Sequence, residues 1–205
     1  MAVPSKKEII DFSPINHGES EELPAYRRWD MPNLNKAMDT GLIVAVTGLR
    51  RVGKTTILKQ LLGKEAFHFS FDERKYSTPE TLKKVIDVFL SEQDKPLIML
   101  DEIFRVEDWA GIIKHYHDQK RASFILSGSS ALMVKQSMES LSGRLFEYYL
   151  PPLRFGEYLE MCGKKPERIV EPFKAKKRYA DELERFFING SFPEICRMGP
   201  GVARG

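Results

Sequence analysis

The chain has little cysteine, no long apolar run and no large excess of one charge, and each shortage excludes a class of protein. Only two cysteines, Cys162 and Cys196, occur in 205 residues, and they lack metal-site spacing, so we expect reduced thiols. No apolar run approaches the length of a bilayer-spanning helix. The first residues show no secretory signal, so we expect a cytoplasmic protein without a membrane partner. A net charge of +3 does not by itself argue for nucleic acid.

Residues 48–55 are the feature around which the chain is organised. Two glycines are followed by Lys54 and Thr55, with an apolar run before them and a helical pattern after them, the context of a phosphate-binding loop. The glycines let successive N–H groups point at one anion, and the helix adds its positive dipole end. Lys54 would reach the β- and γ-phosphates, and the Thr55 hydroxyl would bind Mg²⁺. The residues expected to bind the nucleotide are Gly48, Arg51, Val52, Gly53, Lys54, Thr55 and Thr56.

Strand and helix patterns alternate along most of the chain. Apolar or alternating segments predict five strands, over 42–46, 66–72, 97–100, 123–127 and 145–150. Helical patterns with short connections lie between them, which predicts an α/β fold with a mostly parallel sheet and helices on both faces. Ahead of these strands we expect an irregular or partly ordered arm over residues 1–23, then a short helix within 24–39 that is broken near Pro32.

Two acids end the third predicted strand. Asp101 is placed to hold Mg²⁺, usually through water, and Glu102 is then free to polarise a water for attack on the γ-phosphate. An ionised carboxylate can accept the hydrogen bond from that water. Ser127 ends the next strand and is either a polar group beside the attacking water or only part of a turn and helix cap. The predicted catalytic residues so far are Lys54, Glu102 and Ser127.

Other classes of phosphate-loop protein fit the sequence less well. A GTPase should carry a guanine-reading Asn-Lys-x-Asp motif late in the chain, whereas residues 35–39 have the wrong spacing and precede the loop. The transporter signature Leu-Ser-Gly-Gly-Gln should precede the acidic strand, whereas the partial match at 141–144 follows it. A small-molecule kinase would not need the Asp-Glu pair. The sequence therefore favours ATP as the nucleotide.

Short motifs in a fixed order carry a resemblance to a known family. They lie at residues 48–55, 100–103, 125–130, 142–144, 152–158 and 189–194. Together they resemble the prokaryotic AAA-type ATPases of archaea and bacteria that carry a C-terminal domain of unknown function, over about residues 25–197. The resemblance implies an AAA+-like P-loop NTPase fold with the loop strand central. Ser127 and Ser191 depart from it, because Thr and a second Gly are common at these positions.

The resemblance also implies a domain organisation and a further site residue. We expect an N-terminal arm and short helix over 1–39, a P-loop ATPase core over 40–152, and a helical region over 153–205 that is truncated before the C-terminal domain. Arg144 is a candidate arginine finger, presented to a neighbouring subunit of a homo-oligomer. The alternative is a surface arginine paired with Glu147 or Glu139.

Two functions follow from these observations. The favoured one is an ATPase that hydrolyses Mg-ATP and acts as a motor or switch on an unknown macromolecular client, DNA or protein. The alternative is a nucleotide-gated binding module, with DNA as a candidate ligand and little or no hydrolysis. The basic stretch over 164–178 weakly favours this alternative, although a solvated helix face explains it as well.

Overall fold

The computed structural model describes residues 3–12, 23–62, 66–129, 140–166, 173, 177–189 and 191–194. The strands are β1 (Ile43–Thr47), β2 (Ala66–Ser70), β3 (Leu97–Asp101), β4 (Ser123–Gly128) and β5 (Leu145–Tyr149). The helices are α1 (Lys6–Phe12), α2 (Met31–Met38), α3 (Lys54–Leu62), α4 (Pro79–Glu92), α5 (Trp109–Asp118), α6 (Phe155–Met161) and α7 (Ala180–Asn189). Each predicted strand is confirmed, with its ends shifted by at most a few residues.

The strands form one sheet in the order β2-β3-β4-β1-β5, and every pair is parallel. β1, which leads into the phosphate loop, is interior and bonded to β4 and β5, while the middle position belongs to β4. β4 therefore separates the strand of the loop from β3, which ends in the two acids. Because the strands are parallel, their carboxyl ends meet at one edge of the sheet, where ligands of open α/β folds bind.

The core consists of two apolar layers, one on each face of the sheet. Side chains alternate between the layers, as β1 shows: Ile43 and Ala45 face the layer that includes α1, α4 and α5, and Val44 and Val46 face α2 and α3. β1 is buried at every position. Because helices cover both faces of the sheet, an interior strand such as β1 is a continuous apolar run. The prediction of helices on both faces is confirmed.

The N-terminal region contains a helix that the sequence did not predict. Residues 1–23 were expected to be an irregular or partly ordered arm; α1 occupies part of this range, and its fully buried Ile9 joins the core cluster of α4. A helix this short depends on tertiary packing, so its sequence alone carries little signal. The expected break near Pro32 is also wrong, because α2 includes Pro32 in its first turn. At that position a proline loses no helical hydrogen bond.

In the described part of the chain, α6 and α7 follow the sheet. α6 and α7 pack together through Tyr158, Leu159 and Tyr179, with Phe155 and Phe186 against them. The helix predicted to follow Ser129 and Ser130, and most of the basic stretch over 164–178, lie outside the described residues. None of the helices in the described ranges is long and apolar enough to cross a membrane.

Candidate functional site

The loop between β1 and α3 has backbone conformations that few residues adopt. Gly48 has φ 150°, and a Cβ there would lie 2.4 Å from the carbonyl oxygen of Leu150. Arg51 and Gly53 also have positive φ, 67° and 90°. Val52 between them is fully buried and anchors the loop to the core. The loop is thus held in a turn that requires glycine at its start, as the motif predicts.

Lys54 begins α3 and folds its side chain back across the loop. Its Nζ donates to the carbonyl oxygens of Gly48, at 3.1 Å, and Leu49, at 3.0 Å, and the residue is only 6% exposed. Burial lowers the pKa of the Lys54 ammonium, while the charges of Glu102 and Asp101 oppose this effect. A phosphate in the loop would further favour the charged form. The arrangement places a buried cation where an anion can bind.

The Asp101 carboxylate, at the end of β3, joins three elements. Its Oδ2 accepts from Thr55 Oγ1 at 2.6 Å, and its Oδ1 accepts from Ser127 Oγ and from the Glu102 N–H. Ser127 is fully buried at the end of β4. In the described parts of the chain, His, Cys, Asp and Glu form no group of three or more that is suited to a metal ion. One carboxylate beside a hydroxyl nevertheless fits Mg²⁺, which takes most other ligands from phosphates and water.

Glu102 adopts a left-handed backbone conformation, with φ 52° and ψ 29°, which is uncommon for a residue other than glycine. Its Oε2 accepts from Ser129 Oγ at 3.3 Å and lies 3.8 Å from Arg105 Nε. Arg105 also pairs with Asp72, at 3.1 Å. Such backbone conformations concentrate at functional sites. The carboxylate borders the cleft described next, so it is available to a bound ligand.

A cleft of about 310 Å³ lies over the phosphate loop. Of the predicted site residues, those lining it are Arg51, Val52, Gly53, Lys54, Thr55, Thr56 and Glu102, while Gly48, Asp101, Ser127 and Arg144 do not. The cleft is also lined by Pro24, Tyr26, Met161 and Pro193. Gln60 holds the segment of Pro24 and Tyr26 in place, because its Nε2 donates to the carbonyls of Pro24, at 2.6 Å, and Tyr26, at 2.9 Å. The volume is that of a small-molecule pocket.

Sequence reasoning missed two segments of this cleft. Residues 24–30 were assigned to the segment of the short helix, and no local pattern marks Tyr26 as a cleft residue. Pro193 and Glu194 belong to the ordered motif at 189–194, which carried no assigned role. Glu194 pairs with Arg51 at 3.7 Å, and Pro193 Cγ lies 3.7 Å from where a Cβ on Gly53 would be. The position of these two residues in the ordered set of motifs was therefore the sequence signal that could have predicted this contact.

Arg144 lies at the other end of the sheet. Its carbonyl accepts from the N–H of Ile43, at the start of β1, whereas the phosphate loop follows the end of β1, roughly 16 Å further. Its Nε pairs with Asp118 at 2.5 Å. The predicted partner Glu147 instead accepts from Thr47 Oγ1 at 3.1 Å, so that pairing is wrong; Glu139 lies outside the described residues. Arg144 is thus absent from the cleft of its own chain.

The parallel sheet with an inserted strand, the glycine loop and the acid-tipped β3 define a P-loop NTPase fold. The family model described as AAA domain matches residues 40–159, more than half of the chain. The chain therefore belongs to the AAA domain family, which confirms the predicted AAA-type class.

Similar proteins extend this assignment. Uncharacterized protein MJ1544 of Methanocaldococcus jannaschii is 30% identical over 167 residues, 75% of this chain and 36% of that protein. An uncharacterized protein of Haemophilus influenzae is 26% identical over 172 residues, 77% of this chain and 41% of that protein. The chain thus spans well under half the length of these curated relatives. The Walker-type ATPase PABY2304 of Pyrococcus abyssi has a similar fold, with TM-score 0.59 and 14% identity over 86% of this chain and 69% of that chain.

The contact between Gly48 and Leu150 predicts an unequal effect of two glycine substitutions. Gly48→Ala should lower the free energy of unfolding by about 3 kcal/mol, because a Cβ would both strain the backbone and overlap a carbonyl oxygen. Gly41→Ala is the matched control, since Gly41 has φ 72° but no atom near its Cβ position, and should cost about 1 kcal/mol. Urea unfolding measures both values, and equal losses would contradict this explanation.

Proposed function

We propose that the chain binds Mg-ATP in this cleft and hydrolyses it to ADP and phosphate. The observation that carries the proposal is the meeting of Thr55, Asp101 and Ser127 directly behind the buried Lys54, with Glu102 at the border of the cleft. These groups come from the first turn of α3, which follows β1 and the phosphate loop, and from the carboxyl ends of β3 and β4. They are the types of residue that phosphoryl-transfer sites of this fold use.

The loop and Lys54 would hold the phosphates. Backbone N–H groups of the loop and the N-terminus of α3 favour an anion there, and the Lys54 ammonium supplies a charge-assisted contact. Thr55 and Asp101 would hold Mg²⁺, which, when bound, neutralises charge on the β- and γ-phosphate oxygens. The Thr55–Asp101 hydrogen bond keeps these two oxygen atoms close together before a cation binds.

Glu102 and Ser127 would have different roles. Glu102 can accept a proton from a water positioned against the γ-phosphate, once its carboxylate turns from Ser129 and Arg105. The Ser127 hydroxyl is buried and donates to Asp101, which supports a role in orienting that carboxylate. A direct contact of Ser127 with the γ-phosphate stays a prediction.

The part of the cleft that Tyr26 and Met161 line would take the adenine base. These two side chains offer flat or apolar surfaces, and base-binding pockets are mostly apolar with few polar groups. The segment that holds Tyr26 is fixed to α3 through Gln60. α3 therefore supports both ends of the proposed nucleotide site, since it begins with Lys54 and carries Gln60 two turns later.

Features beyond the nucleotide site stay predictions. They include a macromolecular client, a homo-oligomer, a cytoplasmic location and a following C-terminal domain of unknown function. The alternative of a DNA-binding module depends on the basic stretch over 164–178, most of which lies outside the described residues. We therefore propose the ATPase in its place.

Lys54→Ala should abolish tight binding of Mg-ATP while the domain stays folded. Removal of the buried cation should cost several kcal/mol of binding free energy, roughly a hundredfold or more in affinity. Isothermal titration measures the affinity and circular dichroism the fold. Lys59→Ala, on the same helix but outside the cleft, is the control and should bind as the parent does. Parent-like affinity in a folded Lys54→Ala protein would refute the assignment.

Glu102→Gln should keep nucleotide affinity and lower turnover by about a hundredfold, the usual effect of losing a positioned base. Asp101→Asn should instead weaken the Mg²⁺-dependent part of nucleotide binding, because it removes a charged metal ligand. Phosphate release under saturating ATP and titrations with and without Mg²⁺ separate the two effects. Unchanged turnover in Glu102→Gln would show that water is not activated by this residue.

Arg144 should act in trans if it is an arginine finger. Activity per chain should then rise with protein concentration, and Arg144→Ala should lose roughly a thousandfold or more in turnover while still binding ATP. A mixture of Arg144→Ala and Lys54→Ala chains should recover part of the activity. Asp118→Asn breaks the same ion pair but keeps the arginine, and should retain turnover. Equal losses of turnover in Arg144→Ala and Asp118→Asn, without recovery in the mixture, would show that the ion pair has only a structural role.

A further inference from the structure

A buried group of charged residues lies beside the phosphate loop, outside the chemistry proposed above. Its centre, here called the Arg28 cluster, is Arg28, Asp30 and Glu157, which are 6%, 2% and 0% exposed. Arg154 and Tyr148 complete it at the margin, where both donate to Asp30. The three central residues come from the segment before α2 and from α6, far apart in the chain.

The Arg28 guanidinium bonds three separate segments. Its Nε donates to Glu157 Oε1 at 2.8 Å, its Nη1 to the carbonyl of Val52 at 2.9 Å, and its Nη2 to the carbonyl of Pro151 at 2.9 Å. Val52 is in the phosphate loop, and Pro151 follows β5. Only a planar fork with several fixed donors can make these contacts together, so lysine cannot replace it. Although Arg28 lines the cleft, its guanidinium is already engaged by protein acceptors.

Glu157 holds the guanidinium in this position. Its carboxylate also accepts from the backbone N–H groups of Trp29, at 2.9 Å, and Arg154, at 3.0 Å, so both of its oxygens have partners. Burial alone would raise the pKa of Asp30, but hydrogen bonds from Arg154 and Tyr148 and the nearby arginine charges together lower it. Buried ion pairs of this kind often stabilise a fold no more than apolar side chains would. Stabilisation of the fold therefore does not by itself account for the bond between Arg28 and the Val52 carbonyl of the phosphate loop.

The bond to Val52 fixes the direction of one N–H group in the loop. In a planar trans peptide the Val52 carbonyl and the Gly53 N–H point in opposite directions. Gly53 has φ 90°, and glycine tolerates both positive and negative φ, so this peptide could rotate at little cost if nothing held it. Arg28 holds the carbonyl on its own side. The Gly53 N–H is thereby kept on the opposite side of the peptide.

We propose that Arg28 is a positioning residue that preorganises the phosphate loop through the Val52 carbonyl, with Glu157 as its support. Its effect on nucleotide binding depends on the function proposed above, whereas its effect on the loop does not. A loop already set in its binding conformation loses less entropy when the ligand binds. Loss of this bond should therefore weaken nucleotide binding without removing any group that contacts the phosphates.

The test compares Arg28→Lys with Arg154→Ala. Arg154→Ala disturbs the Arg28 cluster through Asp30 and Glu157, which the Arg154 guanidinium contacts at 2.8 and 3.5 Å, but removes no hydrogen bond to the loop. Glycine-selective ¹⁵N labelling follows the Gly53 amide in the protein without nucleotide, and its signal should move in Arg28→Lys and not in Arg154→Ala. Isothermal titration should show Mg-ATP affinity about tenfold lower in Arg28→Lys and within about twofold of the parent in Arg154→Ala. Saturating turnover should fall less than affinity in Arg28→Lys.

Each outcome supports or overturns the proposal. An unmoved Gly53 signal in Arg28→Lys would overturn it. Equal losses of Mg-ATP affinity in both variants, in proportion to the fall in their melting temperatures, would also overturn it. If the parent does not bind Mg-ATP, the proposed function fails, while the Gly53 signal still decides whether Arg28 positions the loop. Should Arg28→Lys not fold, the double variant Arg28→Gln with Glu157→Gln removes both charges together and is read by the same two measurements.

Discussion

The hydrogen bonds to the Asp101 carboxylate are the interaction on which the site depends. Thr55 belongs to α3, Ser127 to β4 and Asp101 to β3, so this carboxylate joins the helix behind the phosphate loop to two strands. The contact is possible because the sheet is parallel and brings the carboxyl ends of its strands to one edge. The insertion of β4 places Ser127 between the loop and the acids, where its hydroxyl reaches the carboxylate.

Unfavourable backbone conformations lie on both sides of that contact. Arg51 in the loop and Glu102 directly after Asp101 are residues other than glycine with positive φ. Each of these two costs free energy in an isolated peptide, so the surrounding fold must stabilise it. Burial of Val52 next to Arg51 and the hydrogen bond from the Glu102 N–H to Asp101 provide that support. Stability elsewhere in the core thus maintains the strained backbone at these two positions.

The cleft is formed by segments that are distant in sequence. The segment before α2, the phosphate loop, α6 and the turn at Pro193 all border it. Arg28 and Glu157 connect three of these segments within one buried group. The helices after the sheet are therefore part of the structure around the proposed nucleotide site. A change in the conformation of the phosphate loop would also affect α6, because the Arg28 guanidinium donates to both the Val52 carbonyl and Glu157.

The sequence by itself determined the local features: the phosphate loop, the five strands, the helical patterns between them and the two acids where β3 ends. These features depend on the spacing and periodicity of residues over short stretches of the chain, which can be read from a single sequence. Tertiary structure decided the middle position of β4, the packing of α1, the Asp118 partner of Arg144 and the Arg28 cluster. Each of these joins residues far apart in the chain. Such a contact is selected by packing and charge burial in the folded state, and it leaves no periodic pattern in the sequence.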